Sequence, residues 1–144
     1  MMKQRTLLFI IVLLSTLTAS ADKSGQCGNG VTYLFKEDTG TLIISKTGEG
    51  DGKITSRPWL TNYYDVREAI IEDGVTDMGD YTFHDCWSLN SVTIPNSVTS
   101  ISQLAFYNCI YLTSVNIPNS VTSIGEYNQE IKGVTNVEVI PVSA

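Results

Sequence analysis

Residues 89–101 read LNSVTIPNSVTSI, and residues 112–124 read LTSVNIPNSVTSI. The copies lie 23 residues apart and differ only at Asn90/Thr113 and Thr93/Asn116. A period of about 20–50 residues marks a chain of stacked units, none of which can bury its apolar face alone. At this step Leu89 falls on Leu112, Val92 on Val115, Ile94 on Ile117, Val98 on Val121 and Ile101 on Ile124. Phe83 falls on Phe106 and Cys86 on Cys109. One step earlier a fainter copy sets Ala69, Ile71, Val75 and Met78 on Val92, Ile94, Val98 and Ile101. The apolar positions persist while those between them drift, as expected when only inward side chains are constrained.

Residues 91–95 alternate, with Val92 and Ile94 inward and Ser91 and Thr93 outward, which is strand periodicity. Val115 and Ile117 repeat it in the second copy. Pro95 and Pro118 end these strands, because proline has no N–H for a sheet ladder. Asn-Ser then signals a turn. Residues 103–108 are expected to form one helical or 3-10 turn that returns the chain. The fold class expected is a β-rich α/β solenoid, a right-handed coil of short parallel strands with short helical or 3-10 turns, preceded by an N-terminal β-hairpin cap.

The string L-x-S-V-x-I-P-N-S-V-T-S-I, followed by x-x-x-A-F-x-x-C, resembles the BspA-type leucine-rich repeat. Phe83/Cys86 and Phe106/Cys109 match its second half, and VREAIIEDGVTDMGDYTF is similar to the usual first repeat. The likeness fails over residues 125–136, where Gln129 and Lys132 replace the phenylalanine and cysteine; Ile140-Pro141 returns in register. The resemblance implies an extracellular or surface-attached protein of a kind associated with adhesion to host matrix proteins and to other cells.

The rest of the chain divides around the repeat. Lys3 and Arg5 precede an apolar run over residues 7–14, and Ala19-Ser20-Ala21 supplies small residues for cleavage. Residues 1–21 therefore read as a secretory signal peptide cut after Ala21, making the protein secreted or cell-surface. The run is shorter than the roughly 20 apolar residues a spanning helix needs, and the remaining chain is expected to hold no span. No lipobox precedes Cys27, so no lipid anchor is expected. Residues 22–65 read as an N-terminal β-rich capping region, residues 66–134 as repeats and residues 135–144 as a degenerate remnant. Within the first, residues 22–30 look like a flexible lead-in. Residues 31–35 and 41–45 form an expected hairpin across Asp38-Thr39-Gly40, and residues 46–53 an expected loop. Trp59, Leu60 and Tyr63 are expected to plug the first coil.

The net charge of −6 and the lack of a basic stripe disfavour nucleic acid and anionic membrane surfaces. No catalytic, cofactor or metal residues are assigned. His84 is the single histidine, which excludes a multi-histidine zinc site. The Gly-rich stretch with Glu49 and Asp51 lacks the spacing of a calcium loop and reads as solvated. Of three cysteines, Cys86 and Cys109 share a position in neighbouring coils. Stacked strands lie about 5 Å apart, so two readings stay open: small buried side chains, which is preferred, or a disulfide.

Two residue sets are candidates for contact with an extracellular protein partner. The outward strand positions form a flat polar ladder that includes Thr93 and Asn116. Beside the Phe–Cys turn stand His84, Trp87, Tyr107 and Tyr111, and aromatic rings are common interface anchors. An open last coil also allows edge-to-edge self-association. The alternatives to a protein-binding module are a secreted carbohydrate-binding or enzymatic domain, and a degenerate structural fragment of a longer array.

Overall fold

The computed structural model describes residues 21–60 and 65–126 of the 144-residue chain. The expected signal peptide through Ser20, Tyr63 and the terminal remnant lie outside the described residues.

Two sheets carry the repeat. The larger has strand order β1-β2-β3-β4-β6, from β1 (Lys23–Gly28), β2 (Val31–Lys36), β3 (Thr41–Lys46), β4 (Glu68–Ile71) and β6 (Ser91–Thr93). β1, β2 and β3 are antiparallel neighbours, whereas β3-β4 and β4-β6 are parallel. The smaller sheet is parallel throughout, with β5 (Asp77–Met78), β7 (Ser100–Ile101) and β8 (Ser123–Ile124) in order. Register follows the repeat: Ala69 lies opposite Val92, and Met78, Ile101 and Ile124 form one row. Alternation decides which side chains go inward. In β2, Val31, Tyr33 and Phe35 are buried while Thr32, Leu34 and Lys36 are half-buried.

The expected hairpin forms between β2 and β3, closed by Gly40, whose amide donates to the Lys36 carbonyl at 2.9 Å. Gly40 has φ of 71°, and a Cβ there would meet the Asp65 carbonyl at 2.6 Å, so only glycine fits this crossing. The expected flexible lead-in is instead β1, an ordered edge strand with Cys27 buried in the core. Its polar side chains hid a segment held by backbone bonding to β2 rather than by burial.

Residues 41–60 form a unit on the same rungs as the repeats. Leu42 lies opposite Ala69 and Ile44 opposite Ile71. Lys53 bridges Asp77, and the Ile54 amide donates to the Asp77 carbonyl at 3.0 Å. The end of the expected loop at 46–53 therefore belongs to a ladder. Trp59 then continues the column of rings: Tyr33–Trp59 centroids lie 5.7 Å apart, Trp59–Phe83 6.4 Å and Phe83–Phe106 5.7 Å. Trp59 is fully buried and donates its indole N–H to the Thr82 carbonyl at 2.9 Å. Leu60 packs against the core from its edge.

The expected helical turn over residues 103–108 is a run of β-turns. Its bonds are of the i to i+3 type, as from the Tyr107 amide to the Leu104 carbonyl at 3.2 Å, and the previous coil matches with His84 to Tyr81 at 3.0 Å. Four residues stop any helix: Tyr81, Asp85, Leu104 and Asn108 have φ of 62°, 60°, 55° and 60°. They are the same two positions of consecutive coils. The amides of Tyr81, Phe83 and Asp85 donate across to the carbonyls of Gln103, Ala105 and Tyr107 at 3.0, 2.7 and 2.9 Å. Backbone donors that a helix would use internally are thus spent between coils. Among the described residues the one 3-10 turn is Pro58–Leu60.

The expected strand through Val115 and Ile117 does not form, and β6 ends the larger sheet. Val115 is nevertheless buried and Ile117 packs on the core. Side-chain pattern alone suffices for burial, whereas a ladder needs aligned backbone groups on a neighbour.

Serines of the two Asn-Ser turns stitch coil to coil. Ser97 donates its hydroxyl to the Val75 carbonyl at 2.7 Å and accepts the Gly74 amide at 3.0 Å. Ser120 repeats the first contact on the Val98 carbonyl at 2.7 Å.

Candidate functional site

The six candidate residues fall into two separate sets. Thr93 lies on β6 opposite Ile70, exposed with Asn90 and Ser91. Asn116, Thr113 and Ser114 are exposed one coil on. This is the flat polar ladder, made of short side chains.

The second set sits at the Phe–Cys turns. His84 is held on three sides. It stacks on Tyr107 with centroids 5.2 Å apart and 19° between planes, meets the edge of Tyr81 at 5.5 Å, and places Nδ1 3.0 Å from the Asp85 carboxylate. His84 and Tyr107 are both half-buried, so their rings pack on each other as much as they face solvent. Trp87 and Tyr111 behave differently, at 55% and 65% exposed. Ile110, which sequence reading passed over, is 65% exposed and lies 23 residues after Trp87. The signal that marks it was available: it fills the position after the repeat cysteine, as Trp87 does.

A surface cleft of about 350 Å³ opens beside Trp87. Its walls are Arg57, Leu60, His84 and Asp85, and the buried Trp59 and Cys86 also line it. Arg57 lies with its guanidinium carbon 4.8 Å from the Tyr81 ring centroid and donates to the Tyr81 carbonyl at 3.0 Å. Both Asp85 oxygens are engaged, one by the Asn108 side-chain amide at 2.7 Å and the other by His84. The cleft joins residues 57–60 to the turn of the next coil, and the 23-residue period does not extend to them.

Cys86 and Cys109 are free and buried, as is Cys27. Cys109 points its thiol at the Phe83 carbonyl, 3.0 Å away. Burial pushes the Cys27 and Cys109 thiols up to about 12, and drives Cys86 higher still, helped by its neighbours Cys109 and Asp85. These are packed groups, not poised nucleophiles. Asp51 accepts the Lys53 amide at 3.1 Å, and no three metal-ligating side chains converge among the described residues. No helix among the described residues is long and apolar enough to cross a membrane.

The fold is similar to that of a leucine-rich repeat protein from Eubacterium ventriosum ATCC 27560, with a TM-score of 0.62 and 24% identity over 74% of this chain. Lesser likenesses are to the T. pallidum leucine-rich repeat protein (TM-score 0.42, 20% identity, 65% of this chain) and a leucine-rich cell surface protein from Faecalibacterium prausnitzii A2-165 (TM-score 0.38, 23% identity, 75% of this chain). The chain spans 28%, 50% and 40% of the lengths of those three proteins. No curated protein matches it. The model of the BspA type leucine rich repeat region (6 copies) matches residues 60–141, more than half of the sequence, and the chain therefore belongs to the BspA-type leucine-rich repeat family.

Proposed function

We propose that this chain is a secreted or cell-surface module that binds an extracellular protein, with adhesion to host or matrix proteins as its role. In this reading it is a non-enzymatic, right-handed solenoid, with the β1–β3 region closing its N-terminal end. Family membership supports the binding role. The observation that carries the reading is the clustering of exposure: among the described residues, Trp87, Ile110 and Tyr111 are the large hydrophobic side chains left in water, and all follow the cysteine of a repeat. Exposed apolar patches on soluble domains mark interaction sites.

The test is binding of the purified protein to immobilised extracellular matrix proteins and to whole host cells, compared with a variant carrying Trp87→Ser, Ile110→Ser and Tyr111→Ser. Saturable binding that drops about tenfold or more in the variant, with the thermal midpoint kept, is the expected result. Absence of saturable binding to any of them would overturn the adhesion role.

A further inference from the structure

We infer that the cleft between Arg57 and Trp87 receives, from a protein partner, an acidic side chain that lies next to a large apolar one. The inference rests on the reading of the chain as a protein-binding module and names the chemistry of its site.

The cleft holds one cation, Arg57, and one carboxylate, Asp85, and they differ in what they leave free to bond. Asp85 has both oxygens occupied by Asn108 and His84. Arg57 forms no ion pair with any acid among the described residues, where Glu37 pairs with Lys23, Asp77 with Lys53 and Asp65 with Arg67. One of its N–H groups goes to the Tyr81 carbonyl. The guanidinium carries five N–H donors in a planar fork that matches a carboxylate. The Tyr81 ring and carbonyl already fix that fork in place, so less side-chain freedom is lost when a carboxylate arrives.

The apolar half is supplied beside it. Trp87 lines the same cleft, and Ile110 stands at the equivalent position of the next coil, so the ridge runs away from Arg57 along the stacking direction. Leu60 adds a further apolar side chain to the lining. A carboxylate on Arg57 thus sits beside a surface suited to an aromatic or aliphatic side chain. A buried acid with no cation would be costly to the partner, which makes Arg57 the determinant of specificity and Trp87 the anchor.

The experiment is selection of a random peptide library on the immobilised full chain, followed by affinity measurements on the enriched peptides. The expected peptides share an Asp or Glu within a few residues of Trp, Phe, Leu or Ile. Their affinity falls about tenfold or more with Trp87→Ser and with Arg57→Gln, falls less with Arg57→Lys, which keeps the charge but not the fork, and weakens with salt in the wild type but not in Arg57→Gln. The Lys variant guards against a folding defect, and thermal melts accompany each protein. Enrichment without an acidic residue, equal affinity in Arg57→Gln, or capture of glycans on an array in place of peptides would overturn the inference. If matrix proteins bind the Arg57 and Trp87 variants as well as the wild type, this site falls while the binding module stands. If neither matrix proteins nor peptides bind the wild type, both fall.

Discussion

Asn108 donates its side-chain amide to the carboxylate of Asp85 at 2.7 Å, and both residues have φ of 60°. They occupy one position in consecutive coils, so a backbone conformation that ends each turn is also a rung of side-chain bonding. Asp and Asn tolerate the left-handed region better than other residues with a Cβ. Asn108→Ala should lose both the bond and that tolerance, lowering stability by about 1–2 kcal/mol. Asn108→Gly should cost clearly less, because glycine relieves the backbone while losing the bond. Urea denaturation of the two variants checks the order.

The ring column predicts where the module is most fragile. Phe83 is fully buried between Trp59 and Phe106. Phe83→Ala should destabilise by about 3–5 kcal/mol, a large part of the total for a domain stable by about 5–15 kcal/mol. Trp59→Phe should cost less, since it keeps most of the ring volume and gives up the indole bond to the Thr82 carbonyl. Thermal midpoints compared in one buffer decide this.

Ser97 and Ser120 carry equal-looking turns but unequal bonding. Ser97→Ala removes a donor to Val75 and an acceptor for Gly74, whereas Ser120→Ala removes the bond to Val98. Each net hydrogen bond contributes about 1 kcal/mol, so Ser97→Ala should be the more damaging by roughly that amount. A reversed order in chemical denaturation would show that the stitching is not what sets the stability of these turns.

The thiols give a pH dependence with a defined sign. Cys27 and Cys109 ionise near 9.0 when unfolded and at about 12 when folded. Above pH 9 the unfolded chain releases these protons and the folded one keeps them, so the unfolded state gains. This contribution to stability is complete below about pH 9 and is lost as pH rises toward 12. Cys27→Ala should flatten the decline in midpoint between pH 8.5 and about 11, measured by denaturant titration at each pH. At pH 8 a thiol at about 12 is roughly one part in ten thousand thiolate, so a disulfide reagent should label the native protein slowly and the denatured protein quickly.

The 23-residue period picked out the inward set, including Val98, Ile101, Phe83 and Phe106, because burial in stacked repeats depends on a one-dimensional pattern of side chains, while the family was legible in the particular residues of the repeat, L-x-S-V-x-I-P-N-S-V-T-S-I and A-F-x-x-C. It also set Trp87 and Tyr111 at variable positions beside the Phe–Cys turn, and only the structure shows that they stand exposed. Tertiary structure decided what that pattern does not encode. Leu42 and Ala69 are 27 residues apart and Trp59 and Phe83 are 24 apart, so the unit at residues 41–60 breaks the period while keeping the rungs. The left-handed turns at Tyr81 and Leu104 arise because backbone donors are satisfied between coils, where no residue type announces it. Arg57 reaches the Tyr81 carbonyl, and so a cleft forms, through the same off-period stacking. Sequence periodicity specifies which side chains go in. Which polar groups meet is set by the packed backbone, because each such bond joins residues one coil apart whose spacing only the folded chain determines.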